Sequence, residues 1–294
     1  MKKVISYISL SLLILILSSC EKLVILHPKG HIASDEKDLI LIALALMLII
    51  VIPVIIFTLY IAWKFRVTNK NKARYSPNWC HSNILEAFVW GIPSLIVMVL
   101  AILTWVYTHR LDPYKSLDNS VKPVNSQPVN IQVIALEWRW LFIYPQQHIA
   151  TINYLKIPVN RPIILSITAD APMNSLLIPQ LAGQVYAMSG MRTQLHLITS
   201  HQGHYYGFSA NYSGAGFADM HFVVEATSNN KFNTWVNNVK SGNFGNNTLN
   251  ANTYLQLAKD TENHEVQYFS TVSDNLFHSV IMQFMGKPML KINK

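Results

Sequence analysis

Two long apolar segments near the amino terminus, residues 39–63 and 84–108, constrain this chain more than any other feature. The first carries no charged side chain, and the second carries only Glu86. At about 1.5 Å of rise per residue, a helix of either length crosses a hydrocarbon layer of roughly 30 Å. Pro53 and Pro93 are expected to kink these helices without ending them. We therefore predict two transmembrane helices.

The predicted loop between the spans, residues 64–83, sets their orientation. It holds five basic residues and no acidic one. Positive loops stay in the cytoplasm, so both flanks, and everything after Arg110, are predicted on the outer side of the membrane. Removing these five residues and Lys2 and Lys3 from the 23 basic residues leaves 16, against 15 acidic residues. No basic face remains for nucleic acid, and Cys80 falls in the reducing compartment.

Residues 1–19 have the layout of a secretory leader, with two lysines followed by an apolar run. The leader ends at Leu17-Ser18-Ser19-Cys20, which resembles a bacterial lipobox. We predict cleavage before Cys20 and lipid attachment to it, followed by an outer segment over residues 20–38. The alternatives are an uncleaved anchor and an ordinary signal peptide in which the cysteine is accidental.

From residue 129 onward, short alternating segments separated by turn residues predict an all-β sandwich or barrel within an exported domain at 109–228. The predicted strands are Val129 to Leu136, Trp140 to Tyr144, Asn153 to Ile157, Ile163 to Ala169, Leu176 to Ile178, Thr193 to Thr199, Tyr205 to Ala210 and Met220 to Ala226. Helical spacing follows Ser228, and aromatic residues recur through the tail at 229–294.

The segment Gly203 to Met220 resembles the copper loop of subunit II of the haem-copper respiratory oxidases, GQCSEICGxxHxxM. An upstream histidine completes the dinuclear copper centre in that family. Of the six positions that this resemblance aligns, only the methionine keeps its ligand: Ser209 and Ser213 stand for the cysteines, Asn211 for the glutamate, Phe217 for the loop histidine, Asn174 for the upstream histidine, and Met220 for the methionine. Hydroxyl groups cannot replace the bridging thiolates.

The lost ligands, together with the string WRWLFIYP at residues 138–145, make the chain similar to the quinol-oxidase branch of the family, of the cytochrome bo type. This resemblance covers nearly the whole chain. It implies two transmembrane helices, a cupredoxin-like Greek-key sandwich and a C-terminal helical aromatic-rich arm. It also implies a non-catalytic subunit of an enzyme complex in the bacterial inner membrane, with its folded domain in the periplasm.

The resemblance further implies the cofactors and partners of such a complex. No cofactor is expected on this chain, while haems and a single copper are expected in partner subunit I. The complex would oxidise ubiquinol, reduce oxygen to water and translocate protons, with no role for cytochrome c. Expected partners are subunit I, the other oxidase subunits and the lipid bilayer.

Two further groups of site residues follow from the resemblance. Trp138, Arg139 and Trp140 correspond to an aromatic segment that receives electrons in copper-bearing relatives, and without copper we predict that they dock a neighbouring subunit. Glu86 lies two residues inside the second predicted span. Acids within spans indicate a pathway, and the resemblance places this one at the entrance of a proton channel. The alternative for Glu86 is a carboxylate that merely reaches water near the helix start.

Three alternatives fit the sequence less well. A cytochrome c oxidase subunit II is disfavoured by the lost ligands. A free-standing lipoprotein with a degenerate cupredoxin domain, acting in copper handling or as a scaffold, would not need the second span or Glu86. A new mononuclear metal site would use two histidines from a sequence cluster together with Met220. That cluster consists of His196, His201, His204 and His221, and no pair has the spacing of a preformed site.

Overall fold

A computed structural model describes residues 23–66, 80–117, 127–259 and 265–286. The predicted leader, Cys20 and most of the predicted cytoplasmic loop lie outside these residues. The chain divides into two compact units. Residues 35–112 form one unit, and the described residues before and after them form the other.

The helical unit consists of most of α1 (His31–Lys64) and all of α2 (Asn83–Arg110). Both helices are long and apolar enough to cross a membrane. Helix α1 starts eight residues before its predicted span, because the mostly polar residues 31–38 form its first turns and lie outside the long apolar stretch. Arg110 donates two hydrogen bonds to the carboxylate of Asp35, at 2.8 and 2.7 Å. This bidentate ion pair joins the start of α1 to the end of α2.

The second unit is a sandwich of two β-sheets. Its principal strands, in chain order, are β1 (Val129–Leu136), β2 (Arg139–Tyr144), β3 (Ile149–Ile152), β4 (Tyr154–Pro158), β5 (Ile163–Ala169), β6 (Asn174–Ile178), β7 (Ala182–Ala187), β8 (Thr193–Leu197), β9 (Gly203–Ser209) and β10 (His221–Thr227). The chain then continues through α3 (Asn229–Lys240), β11 (Thr248–Leu249), α4 (Ala251–Leu257), β12 (Gln267–Phe269), β13 (Thr271–Val272) and α5 (Leu276–Phe284).

One sheet has six strands in the order β12-β3-β2-β1-β5-β8, and the other has five in the order β4-β10-β9-β6-β7. The β1–β5 and β4–β10 pairs are parallel, and the other pairs in these two sheets are antiparallel. Alternate residues of β1 and β2 point into the space between the sheets, where Trp140 and Phe142 pack on Phe222 of β10. This inter-sheet core explains the alternation in the sequence.

The C-terminal segment contributes strands as well as the predicted helices. Strand β12 pairs with β3 and forms one edge of the six-stranded sheet. Residues of β11, α4, β13 and α5 cover the outer face of that sheet, where Tyr254 and Val280 are fully buried. The predicted two-helix, sandwich and arm architecture is therefore confirmed, and the arm is more closely integrated with the sandwich than its helical pattern predicted.

The predicted strands agree with observed ones to within a few residues. Strands β3 and β7 were missed. All four residues of β3 are buried, so it lacks the alternation that marks a half-exposed strand. Helix α3 begins where predicted, because the Ser228 side chain accepts a hydrogen bond from the Lys231 amide at 3.4 Å.

Candidate functional site

The segment Gly203 to Met220, here called the degenerate copper loop, and Asn174 at the start of β6 hold the six aligned positions at one end of the sandwich. Three of these positions are joined by hydrogen bonds. Ser209 ends β9, and its hydroxyl donates to Oδ1 of Asn174 at 2.8 Å. The same hydroxyl lies 3.4 Å from the carbonyl of Asn211. Asn174 and Asn211 in turn donate to the carbonyls of Pro172 and Met173. These polar groups therefore hold one another and the backbone in place.

The other three positions bring a thioether, a phenyl ring and a second hydroxyl. Met220 is buried, and its carbonyl accepts the Ser209 amide at 3.0 Å. Phe217 lies against Tyr212, with ring centroids 5.5 Å apart. The hydroxyl of Ser213 is buried, and none of the residues that the structure describes forms a hydrogen bond with it. A set of two hydroxyls, two amides, a phenyl ring and one thioether does not fit a dinuclear copper centre, which needs thiolates and imidazoles.

The histidine alternative is not supported by the geometry either. Within the described ranges, no group of three or more His, Cys, Asp or Glu side chains could hold a metal ion. His204 is paired in register with Glu225 and His221 with Phe208, at separate points along β9 and β10. His196 instead uses Nδ1 to bond the Lys115 carbonyl at 2.9 Å.

The docking assignment of Arg139 and Trp140 is wrong. Trp140 is fully buried in the inter-sheet core. Arg139 is 5% exposed, and its guanidinium donates to the carbonyl of Leu257 at the end of α4. Burial lowers the pKa of Arg139, and a cation at a helix C-terminus is favourable. Both side chains stabilise the fold of this chain and are not available for docking.

Trp138 differs from its two neighbours because it occupies the turn between β1 and β2, with φ of 55°. Its indole donates to the carbonyl of Ser213 at 3.1 Å and is partly exposed. A Cβ at Gly216 would come within 2.4 Å of the indole ring, so only glycine permits this packing. Of the three predicted docking residues, Trp138 alone keeps a surface position, beside the degenerate copper loop.

Glu86 lies in the first turn of α2, where Ser82 accepts a hydrogen bond from the Leu85 amide. The carboxylate forms an ion pair with Nδ1 of His81 at 2.8 Å, and both side chains are more than half exposed. His81 is not among the predicted site residues, although its position just before the helix start, five residues from Glu86, could have indicated the contact. The pair presents exchangeable protons at one end of a membrane-length helix.

A second polar group, which the sequence analysis missed, lies on adjacent strands β4 and β10. Lys156 and Glu225 are in register, with Nζ 2.9 Å from Oε1, and Tyr154 donates its phenolic proton to Oε2 of Glu225. Burial acts to raise the pKa of Glu225, but the hydrogen bonds from Tyr154 and Lys156 outweigh it and lower the pKa below 4.5. Burial, followed by the bond to Glu225, raises the pKa of Tyr154. The carboxylate is therefore ionised and the phenol protonated.

Two family profiles match the second unit. The periplasmic domain of cytochrome c oxidase subunit II matches residues 141–227, and the COX aromatic-rich motif matches residues 245–287. The first range runs from within β2 to the end of β10, and the second contains the whole segment that forms β11 to α5. Together with the two apolar helices, these matches define the class, a membrane-anchored subunit II of the respiratory oxidases.

Relatives of known function narrow this class. The chain is 48% identical to ubiquinol oxidase subunit 2 of Acetobacter aceti over 270 residues, which cover 92% of this chain and 85% of the relative. It is 47% identical to cytochrome bo(3) ubiquinol oxidase subunit 2 of Pseudomonas aeruginosa, covering 92% and 78%. The protein of the same name from Buchnera aphidicola subsp. Schizaphis graminum is 43% identical, covering 94% and 93%. The chain belongs to the ubiquinol oxidase subunit 2 family.

Proposed function

We propose that this chain is the non-catalytic subunit II of a respiratory complex that oxidises ubiquinol, reduces oxygen to water and translocates protons. The observation that carries the proposal is the donor set of the degenerate copper loop. Ser209 of the loop donates a hydrogen bond to Asn174 of β6, at the two positions where the copper-bearing pattern has a thiolate and an imidazole. An electron relay through this loop has no metal ligands to use, so electrons from ubiquinol enter the haem of the partner directly.

The catalytic cofactors in this proposal belong to another chain. Haems and a single copper reside in subunit I, and this chain binds none of them. Membership of the ubiquinol oxidase subunit 2 family supports the proposal, because those relatives are named for the quinol they oxidise. Cytochrome c has no part in this scheme, since no copper centre would accept its electron.

The second contribution of this chain is proton entry at Glu86. An ionisable residue within a membrane-spanning segment is typical of a proton or ion pathway. The contact with His81 supports this role, because Nδ1 of its imidazole lies 2.8 Å from the Glu86 carboxylate, within the distance of a direct proton transfer. In the predicted topology this end of α2 faces the cytoplasm.

The third contribution is structural. We assign docking on the partner subunits to Trp138 and to exposed rings on the five-stranded sheet, in place of Arg139 and Trp140. Tyr206 is 68% exposed and Phe208 lies on the same face of β9, while Tyr212 is 77% exposed in the adjoining loop. Aromatic side chains are enriched in interface cores. A lipid on Cys20, which lies outside the described residues, would add an anchor in the outer leaflet.

Purification of the chain with its natural partners tests the proposal. The expected preparation contains haem and consumes oxygen when supplied with ubiquinol. Glu86→Gln is expected to lower turnover and proton uptake severalfold, since an amide cannot carry the proton. Asp38→Asn, at the opposite end of the predicted hairpin, serves as the matched control and should leave both unchanged. Equal turnover and proton uptake in parent and Glu86→Gln would refute the role of Glu86.

The remaining candidate is a free-standing lipoprotein, and the same purification distinguishes it. That protein would be isolated without haem and without quinol-dependent oxygen uptake. Family membership and the helix carrying Glu86 both favour the oxidase subunit.

A further inference from the structure

Four oxidisable rings form a continuous chain along one edge of the sandwich. The ring centroid of Tyr144 lies 5.5 Å from that of Trp235, and Trp235 lies 6.2 Å from Tyr154. Tyr154 lies 5.9 Å from Tyr268 of the arm. Tyr144 is fully buried and Trp235 nearly so, whereas Tyr154 and Tyr268 are partly exposed. The chain of rings therefore leads from the interior of the domain to its surface.

Of these rings, Tyr154 is the one whose described contacts include a carboxylate base. Its phenol donates to the ionised carboxylate of Glu225, and Lys156 holds the other carboxylate oxygen at 2.9 Å. By contrast, the Tyr144 phenol donates to the carbonyl of Lys156 at 3.0 Å, which cannot take a proton. A tyrosine that loses an electron becomes a strong acid, so oxidation is easiest where a base accepts the proton at the same moment.

We propose that Tyr154 is a redox-active tyrosine that collects oxidising equivalents arriving at Trp235. A one-electron oxidant, such as a radical derived from partly reduced oxygen, takes one electron from Trp235 and leaves its radical cation. Tyr154 then passes one electron to Trp235 while its O–H bond breaks and the proton moves to Oε2 of Glu225. The product is a neutral tyrosyl radical beside a protonated carboxyl.

The cycle closes when a soluble reductant donates one electron through Tyr268 and the proton returns from Glu225 to the phenolate oxygen. No atom is lost and one electron enters for each one removed. The net effect is to move the electron deficiency from the nearly buried Trp235 to the partly exposed Tyr154 and Tyr268. This role concerns the domain itself and does not depend on the proposed quinol oxidation.

Tyr254 provides an internal control. Its phenol also donates to a carboxylate, Oδ2 of Asp170, at 2.5 Å, and it is fully buried. It belongs to the cluster on the other side of the six-stranded sheet, and no ring contact joins it to the chain of rings among the described residues. The two tyrosines thus share a carboxylate partner and differ in access to neighbouring rings.

The experiment places a ruthenium polypyridyl photosensitiser next to Trp235 in the full-length protein. Lys231→Cys is exposed and four residues before Trp235, so the label sits on the same side of α3. The parent carries Cys80→Ser to remove the exposed free thiol, and peptide mapping verifies labelling at position 231. After a flash and an oxidative quencher, transient absorption and electron paramagnetic resonance report tryptophan and tyrosyl radicals.

The expected result is a tyrosyl radical in the parent, with a severalfold lower yield and a persistent tryptophan radical in both Tyr154→Phe and Glu225→Gln. Tyr254→Phe is expected to match the parent. Thermal melting checks that each variant is folded, and Glu225→Gln serves as a second probe if Tyr154→Phe is unstable. Equal tyrosyl yields in the parent and in a folded Tyr154→Phe or Glu225→Gln variant would overturn the proposal.

Discussion

The two outer faces of the sandwich differ in how they are covered. The six-stranded sheet buries Leu141 and Ile152 on its outer face beneath the arm, where Tyr254 is also fully buried. The five-stranded sheet instead presents Tyr206 and Phe208 to the surface. Neighbouring exposed aromatic rings on a sheet face are typical of a surface that contacts another protein. The arm of the same chain thus covers the six-stranded sheet, whereas the exposed rings of the five-stranded sheet are suited to contact a partner subunit.

This difference separates two effects that aromatic residues have in this family of folds. On the covered face they determine whether the chain folds, so their loss is expected to appear as instability of the isolated protein. On the exposed face they determine whether the chain assembles, so their loss is expected to appear only in the complex. The predictions below test that separation.

The largest effect is expected from Tyr254→Ala. This change removes a fully buried ring and the hydrogen bond to Asp170. Truncation of a buried aromatic side chain costs about 3–5 kcal/mol of unfolding free energy. Chemical denaturation of the purified protein measures it. Tyr212→Ala, at a highly exposed ring, is the matched control, and similar losses in both variants would break the comparison.

Arg139→Ala comes next, because Arg139 ties β2 to the end of α4. Removing the guanidinium leaves the Leu257 carbonyl without its charged donor. The expected cost is about 1–3 kcal/mol, with faster hydrogen exchange concentrated in α4. Exchange measured by mass spectrometry locates the effect. A loss of assembly without any change in α4 protection would restore the docking role that burial excludes.

A pH-dependent effect is expected where the arm meets the edge of the five-stranded sheet. The folded-state pKa of Glu225 lies below its ordinary value, so its contribution to stability is present above that value and is lost as pH falls through the folded pKa. The melting-temperature difference between parent and Glu225→Gln should therefore be largest near neutral pH and shrink below about pH 4. Asp219→Asn, an exposed carboxylate, should show no such trend.

The smallest effect on stability is expected from Tyr206→Ser combined with Phe208→Ser. Substitutions at exposed positions change the unfolding free energy by about 0.5 kcal/mol or less each. Recovery of haem-containing complex with the tagged chain should nevertheless fall severalfold. Unchanged recovery would show that the partner lies elsewhere.

Sequence reasoning succeeded where a local pattern determines the outcome. The strand Val129–Leu136 and the Ser228 helix start were predicted because alternation and capping are encoded within a few residues. It failed at Arg139, since a charged residue beside two tryptophans suggests a surface, and only the fold brings the Leu257 carbonyl to it. The Tyr154–Glu225 contact joins residues 71 positions apart and depends on the parallel pairing of β4 with β10.

The degenerate copper loop shows the same limit. The absence of the copper ligands could be predicted from the sequence, but the hydrogen bonds that take their place could not. Ser209 and Asn174 are 35 residues apart and meet because β6 pairs with β9. The loop keeps its shape through these bonds and through Trp138, which packs on Gly216.

The most direct test of the proposed electron route offers two donors to one purified preparation of the complex. Oxygen uptake is measured with ubiquinol and then with reduced cytochrome c, and the copper bound to this chain is determined from its thiolate charge-transfer absorption. The account predicts rapid uptake with ubiquinol, none with cytochrome c, and no such absorption. Uptake driven by cytochrome c together with a copper–thiolate band from this chain would contradict it.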